Sequence, residues 1–231
     1  MLTTEFKNAF EYTKKLLNKE SLFLFIACLI PFVNLVVLVR YVYKIVNEPS
    51  NTIKPPNLVK PDLTELIMSL IKIIAVAAVW LVIALALIVP VSLIFDAGTL
   101  GGIFGLMTLV ENFHAKSMAA AIGAAVILLV ISVFAVISEV NMIKRKKLMD
   151  AFAVKDLLGK ISKIGWHRYL LFVFAVLVTW AIILFITSQV GNLVEIGVFT
   201  VSVAGILALL PVAFFARTIS VLYDKNSLQA Q

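Results

Sequence analysis

The stretch IIAVAAVWLVIALALIVPVSLIF, Ile73 to Phe95, contains no charged residue. A helix rises about 1.5 Å per residue, so a run of this length crosses the roughly 30 Å hydrocarbon core of a bilayer. Three further charge-free runs follow, Ser117 to Ser138, Tyr169 to Val190 and Ile196 to Ala216. The composition agrees, with 62% apolar and 14% charged residues and a mean hydropathy of +1.06, outside the soluble range. The chain reads as an all-α, polytopic membrane protein.

No gap between the runs is long enough to fold separately, so residues 1–231 read as a single integral membrane domain. Its parts are an amphipathic helix at 1–20, a re-entrant or kinked span at 22–46, transmembrane helices at 66–95, 117–143, 169–190 and 193–217, and an amphipathic helix at 148–164. The longest hydrophilic connection, Asn47 to Glu65, holds Pro49, Pro55, Pro56 and Pro61, as an extended linker does. Cys28 is the one cysteine and sits in an apolar run, where it reads as a small hydrophobe. Met1 to Glu20 is charged throughout and the run after it has no good small-x-small cleavage site, so the N-terminus is expected to be retained.

Short loops rich in Lys and Arg stay on the cytoplasmic side. The connection from Ile143 to Arg168 carries eight: Lys144, Arg145, Lys146, Lys147, Lys155, Lys160, Lys163 and Arg168. The connection from Asp96 to Lys116 carries only Lys116, and that from Gly191 to Glu195 carries none. The expected arrangement is a multi-pass protein of the cell membrane, with the N-terminus, the 40–65 connection, the 143–168 connection and the C-terminus cytoplasmic. The apolar segment Leu22 to Val39 has basic residues on both flanks, Lys7, Lys14, Lys15 and Lys19 before it and Arg40 and Lys44 after it. Both flanks therefore point to the same side. Pro31 breaks the helical ladder at its centre and Asn34 needs hydrogen-bond partners, which suits a re-entrant helix pair covered by other spans. The alternative is a fifth, proline-kinked span with the N-terminus outside.

Phe6, Ala9, Phe10, Thr13, Leu16 and Leu17 recur at helical spacing before this segment. Leu148, Phe152, Val154, Leu157, Leu158 and Ile161 do so before the Tyr169 run. Both read as amphipathic helices in the cytoplasmic interface. Asp62 or Thr64 would cap a helix leading into the Ile73 run. The chain thus alternates surface and membrane helices, a likeness of character without residue identity.

That order of features, with Ile30-Pro31 and Asn34, Tyr41 before a basic turn, Pro61-Asp62 opening the next helix and Ala151-Phe152 ahead of two last spans, resembles a family. It is the mainly archaeal multi-pass membrane family called domain of unknown function 4013. The resemblance covers most of the chain and implies the architecture without an activity. Arg40 stands where that pattern has a glycine before Tyr41.

Residues that carry chemistry are few. Glu111 and His114 have the Glu-x-x-His spacing of di-iron helices, but such sites need a second pair and two more carboxylates. The only other histidine, His167, lies on the predicted opposite side. No cofactor and no metal are expected. Ser132, Thr179 and Thr187 stand singly within spans and suit bonds to a preceding carbonyl or a neighbouring helix. Polar and ionisable groups near membrane depth are expensive, so the amide Asn34 and the ionisable Lys72, Glu139 and Arg217 form the candidate polar or transport cluster. The plainer reading has Lys72 and Arg217 snorkelling, with Glu139 held by the basic run after it.

Lys144, Arg145, Lys146, Lys147, Trp166 and Arg168 are candidates for contact with anionic lipid headgroups. Their place between a span and an amphipathic helix favours lipid over nucleic acid. Ala119, Ala120, Gly123 and Ala124 offer a small-residue face for close helix packing, within the chain, in a homo-oligomer or against a membrane protein partner. Gly98, Gly101, Gly102 and Gly105 point to a turned outer loop before a short helix at 103–110. The leading functional expectation is a non-enzymatic scaffold, accessory subunit or lipid-organising protein. A small transporter using the broken first segment and the Lys72, Glu139 and Arg217 cluster is second. A lipid-modifying membrane enzyme is third.

Overall fold

The computed structural model describes residues 2–15, 22–31, 33–49, 63–94, 115–194 and 197–228. Among them the chain is helical with no strand. Its helices are α1 (Leu2–Lys14), α2 (Leu22–Leu29), α3 (Val33–Asn47), α4 (Leu63–Ile94), α5 (Ala115–Arg145), α6 (Val154–Ile164), α7 (Trp166–Val194) and α8 (Gly197–Leu228), with a 3-10 turn at Leu148–Phe152. The linker prolines after Pro49, the cap at Asp62, the glycine loop at 98–105, the helix expected at 103–110 and the Glu111–His114 pair lie outside the described residues.

Four helices are long and apolar enough to cross a membrane, with spans at Ile67–Val91, Ile122–Arg145, Trp166–Val190 and Thr200–Asp224. The first three are 22% buried within the protein and the last is 61% buried. That contrast makes α8 the axis of the bundle. In lipid the exposed Leu, Ile, Val and Phe of the outer spans cost nothing, because acyl chains are as apolar as they are, and packing and hydrogen bonds hold the spans together.

Neighbours pair antiparallel. Trp80 of α4 donates its indole N–H to Ser138 Oγ of α5 at 3.0 Å, and its ring stacks on Phe134 at 6.0 Å. Further along the same pair, Gly123 lies against Val91. Tyr169 of α7 donates to the Val133 carbonyl of α5 at 2.6 Å, and Phe172 meets Phe215 of α8 edge-on at 5.8 Å. Three hydroxyls inside spans are satisfied by their own helix, Ser132 by Leu128, Thr179 by Ala175 and Thr187 by Ile183. This local bond keeps a hydroxyl in apolar surroundings from going unpaired.

The Leu22 to Val39 segment is two helices. The chain breaks at Ile30-Pro31, and α2 and α3 pack on each other and on α8. Asn34 opens α3, where its Oδ1 accepts from the Leu35 N–H at 2.7 Å and its Nδ2 donates to the Val201 carbonyl of α8 at 2.9 Å. Further on, Ser220 donates to the Val46 carbonyl at 3.1 Å, so α3 runs parallel to α8.

Both amphipathic segments differ in detail from expectation. α1 buries Ala9, Tyr12 and Thr13 on α8, while Phe10 is 64% exposed and Phe6 stacks on Phe214 at 5.7 Å. The 148–164 segment is a 3-10 turn and then α6, broken at Ala153. Leu157, Ile161 and Ile164 of α6 are buried, but Leu148, Val154 and Leu158 are exposed. The helix stops at Gly165, whose φ of 95° a side chain rarely adopts and whose N–H returns to the Ile161 carbonyl at 2.9 Å.

Candidate functional site

Two places gather polar or ionisable side chains among the described residues. The first is a network across one end of the bundle. Tyr12 of α1 donates to Glu48 Oε2 at 3.1 Å, and the Arg217 guanidinium lies 4.8 Å from the centre of the Tyr12 ring while donating to the Pro49 carbonyl at 3.1 Å. Lys144 at the end of α5 pairs with Asp224 of α8 at 2.8 Å and donates to the Glu48 carbonyl at 3.3 Å. Tyr223 donates to Asn141 Oδ1, and Asn141 Nδ2 donates to the Asp150 carbonyl at 2.8 Å. Arg145 pairs with Asp156 at 2.9 Å, and the Lys160 ammonium sits 4.2 Å from the Tyr223 ring centre. Tyr12 of α1, the ends of α3, α5 and α8, the 3-10 turn and α6 therefore meet at one end.

Burial sets the titration there. It raises the Glu48 carboxyl above its ordinary value, with the Tyr12 bond, Arg217 and Lys44 acting the other way. It also raises the Tyr12 phenol, and Glu48 adds to the effect. The Lys160 ammonium is pushed down by burial first and by Arg145 and Lys163 next.

The second place is a cavity of about 230 Å³ between α3, α5, α7 and α8. Its walls are Val, Ile, Ala, Pro, Phe and Trp side chains together with Thr179 and Glu139. Glu139 is its one charged residue, six positions before the end of α5. Trp180 and Ile183 mark its deeper part, towards the middle of the span. Among the described residues Glu139 joins no ion pair, because Lys144 pairs with Asp224 and Arg145 with Asp156. Of the basic run after Glu139, Lys144 turns to α8 and Arg145 to α6, while Lys146 and Lys147 are exposed.

The four residues of the expected polar cluster are placed apart. Asn34 is at the start of α3 against Val201, Arg217 is in the end network, Glu139 faces the cavity and Lys72 is in α4. No ion pair joins Glu139 to Lys72 or Arg217 among the described residues. Of the expected headgroup contacts, Lys144 pairs with Asp224 in a partly buried place and Arg145 pairs with Asp156 at the surface, while Lys146, Lys147, Trp166 and Arg168 are also exposed. In the small-residue face, Gly123 lies against Val91 of α4 and Ala124 is buried, and the Ala119 and Ala120 side chains lie outside the described residues. Among the described residues no three His, Cys, Asp or Glu side chains group as metal ligands.

Sequence reasoning missed Tyr12, Glu48, Asn141, Tyr223 and Asp224. Asn141 and Glu48 carried a usable signal, an amide at the end of a span and a lone carboxylate after a basic helix. Their partners lie far off in sequence and gave none.

The family model described as "Protein of unknown function (DUF4013)" matches residues 23–191, well over half of the chain. The chain belongs to this family and is a membrane protein with four helices able to span the bilayer. No curated protein and no solved structure matches it.

Proposed function

We propose that this chain is a non-enzymatic membrane scaffold that works as an accessory or lipid-organising subunit through helix packing and its amphipathic helices. The observation that carries the reading is what the ionisable side chains do. Tyr12, Glu48, Lys144, Arg217 and Asp224 hold helix ends together in the network, and do not line one polar cavity. Such a clamp fixes the relative positions of α1, α3, α5 and α8 and leaves three spans facing outward.

The same reading gives the protein a side and a surface. The networked end is cytoplasmic in the cell membrane, because the eight basic residues of the 143–168 connection lie there. The α2–α3 pair is a re-entrant hairpin that enters and leaves on that side. Lys146, Lys147, Trp166 and Arg168 meet anionic headgroups. A protein partner or second copy docks on the outward spans, since α4 already covers the small-residue face at Gly123.

One observation favours the transport reading, the lone carboxylate of Glu139 in the cavity. Gentle purification from native membranes, followed by mass spectrometry of everything retained, separates the two. A stoichiometric protein partner or a shell of anionic lipid supports the scaffold. A lone protein without retained lipid or partner contradicts it.

A further inference from the structure

We infer that the cavity between α3, α5, α7 and α8 is a binding site for a small amphiphilic organic cation, with its ammonium at Glu139 and its apolar body beneath. The first ground is charge. A carboxyl in apolar surroundings is held ionised by a counter-charge, and Lys144, Arg145 and Arg217 are engaged elsewhere, Lys144 with Asp224, Arg145 with Asp156 and Arg217 with Pro49 and Tyr12. Thr179, the other polar side chain in the wall, donates to the Ala175 carbonyl of its own helix. A ligand with a positive group fits a carboxylate left in that state.

The second ground is the wall itself. Phe172 and Phe215 line the cavity with Glu139, and aromatic faces attract cations, alkylammonium groups among them. An anion would meet a carboxylate, and a neutral amphiphile would leave that carboxylate without a counter-charge. A divalent metal needs about six or more oxygens, and one carboxylate among apolar side chains does not supply them.

The third ground is shape. Glu139 is six residues from the end of α5, about 9 Å of helix, so the charged end of the cavity is towards the polar network. Trp180 lies fourteen residues into α7, about 21 Å, so the apolar end points to mid-membrane. A head-and-tail molecule lying along this gradient places its head at Glu139 and its tail towards Trp180. A volume of about 230 Å³ is just under that of ordinary ligand pockets, which restricts the body to a short chain.

The test uses the purified full chain in an uncharged detergent, with hexyltrimethylammonium as probe and hexanol as its neutral counterpart, followed by calorimetry. The expected result is one saturable site for the cation, no comparable site for hexanol, and at least tenfold weaker cation binding in E139Q. V176F, which fills the cavity and keeps the carboxylate, is expected to weaken binding as strongly, and it decides the matter if E139Q fails to fold. The inference is overturned if the wild type shows no saturable binding, if hexanol binds as tightly, or if V176F or folded E139Q retains full affinity. None of these outcomes depends on whether the protein has a scaffold role.

Discussion

Gly205→Ala places a methyl group where α3 and α8 touch. A β-carbon on Gly205 falls 2.8 Å from Asn34 Cβ and 2.9 Å from its Cγ, against about 3.5 Å for an unstrained contact. The Asn34 Nδ2 at the tip of the side chain is closer still, but Cβ does not move with the side-chain torsions, so a rotamer change leaves that conflict and the two helices must separate by about 0.7 Å. Overpacking of this kind costs about 1–3 kcal/mol. Separation also stretches the Asn34 bond to the Val201 carbonyl, worth about 0.6 kcal/mol inside a membrane. Alanine returns about 0.5–1 kcal/mol as a better helix former, leaving a net loss of about 1–3 kcal/mol. Cys28, fully buried and the one thiol, serves as the reporter, because a thiol-reactive dye reaches it only as the bundle opens. A loss of 2 kcal/mol lowers the midpoint by about 4–8 °C. Gly159→Ala is the control, with nothing within 4 Å of the new carbon, and should be neutral or stabilising. In an Asn34→Gly background, where the clashing atoms are gone, Gly205→Ala should cost much less. A Gly205→Ala protein as stable as Gly159→Ala would refute this packing of α3 on α8.

Burial raises Glu48, so the folded state keeps this proton to higher pH than the unfolded chain does. Its contribution is complete below the unfolded value of about 4.3 and is lost as pH rises through the raised folded value, so the stability of the wild type relative to E48Q should fall across that window. Urea or thermal unfolding of both proteins from pH 4 upward reads this directly. Tyr169→Phe removes a fully buried hydroxyl bonded to the Val133 carbonyl and should cost about 0.5–1.5 kcal/mol by the same thiol assay. Lys144→Gln should lower stability by about 1 kcal/mol with little change in retained lipid, because Lys144 pairs with Asp224. The double variant K146Q/K147Q, at exposed positions, should do the reverse and shed anionic lipid in native mass spectrometry.

The spans were legible because lipid leaves its mark on composition. The charge-free run from Ile73 to Phe95 ends within a residue of α4, and the Tyr169 run lies wholly inside α7. The helices extend further than the runs, α4 back to Leu63 and α5 on to Arg145, because charged residues continue a helix into the interface. The break at Pro31 was legible for the same local reason, the missing N–H. Which faces meet was not. Asn34 bonds a backbone carbonyl 167 residues away, and any residue at 201 would offer the same oxygen. Lys144 and Asp224 are 80 residues apart and look like two ordinary surface charges until α5 and α8 are placed side by side. Phe10 fitted the apolar stripe of α1 but stands outside its contact with α8, since the stripe is wider than that contact. The Glu139 cavity depends on how four helices diverge, which no single helix encodes.

The proposed arrangement has the network of helix ends on the cytoplasmic side of the membrane, with α2 and α3 entering and leaving there. It is tested most directly by single cysteines at positions 8, 101 and 147 in a chain with Cys28 replaced, exposed in intact cells to a thiol reagent that does not cross membranes. Asn8 and Lys147 are exposed in the structure, so a lack of reaction there reports the side of the membrane and not burial. The expected result is labelling at 101 alone, with 8 and 147 reacting only after the cells are opened. Labelling of position 8 from outside while 147 stays protected would contradict it and make the Pro31 segment a fifth span.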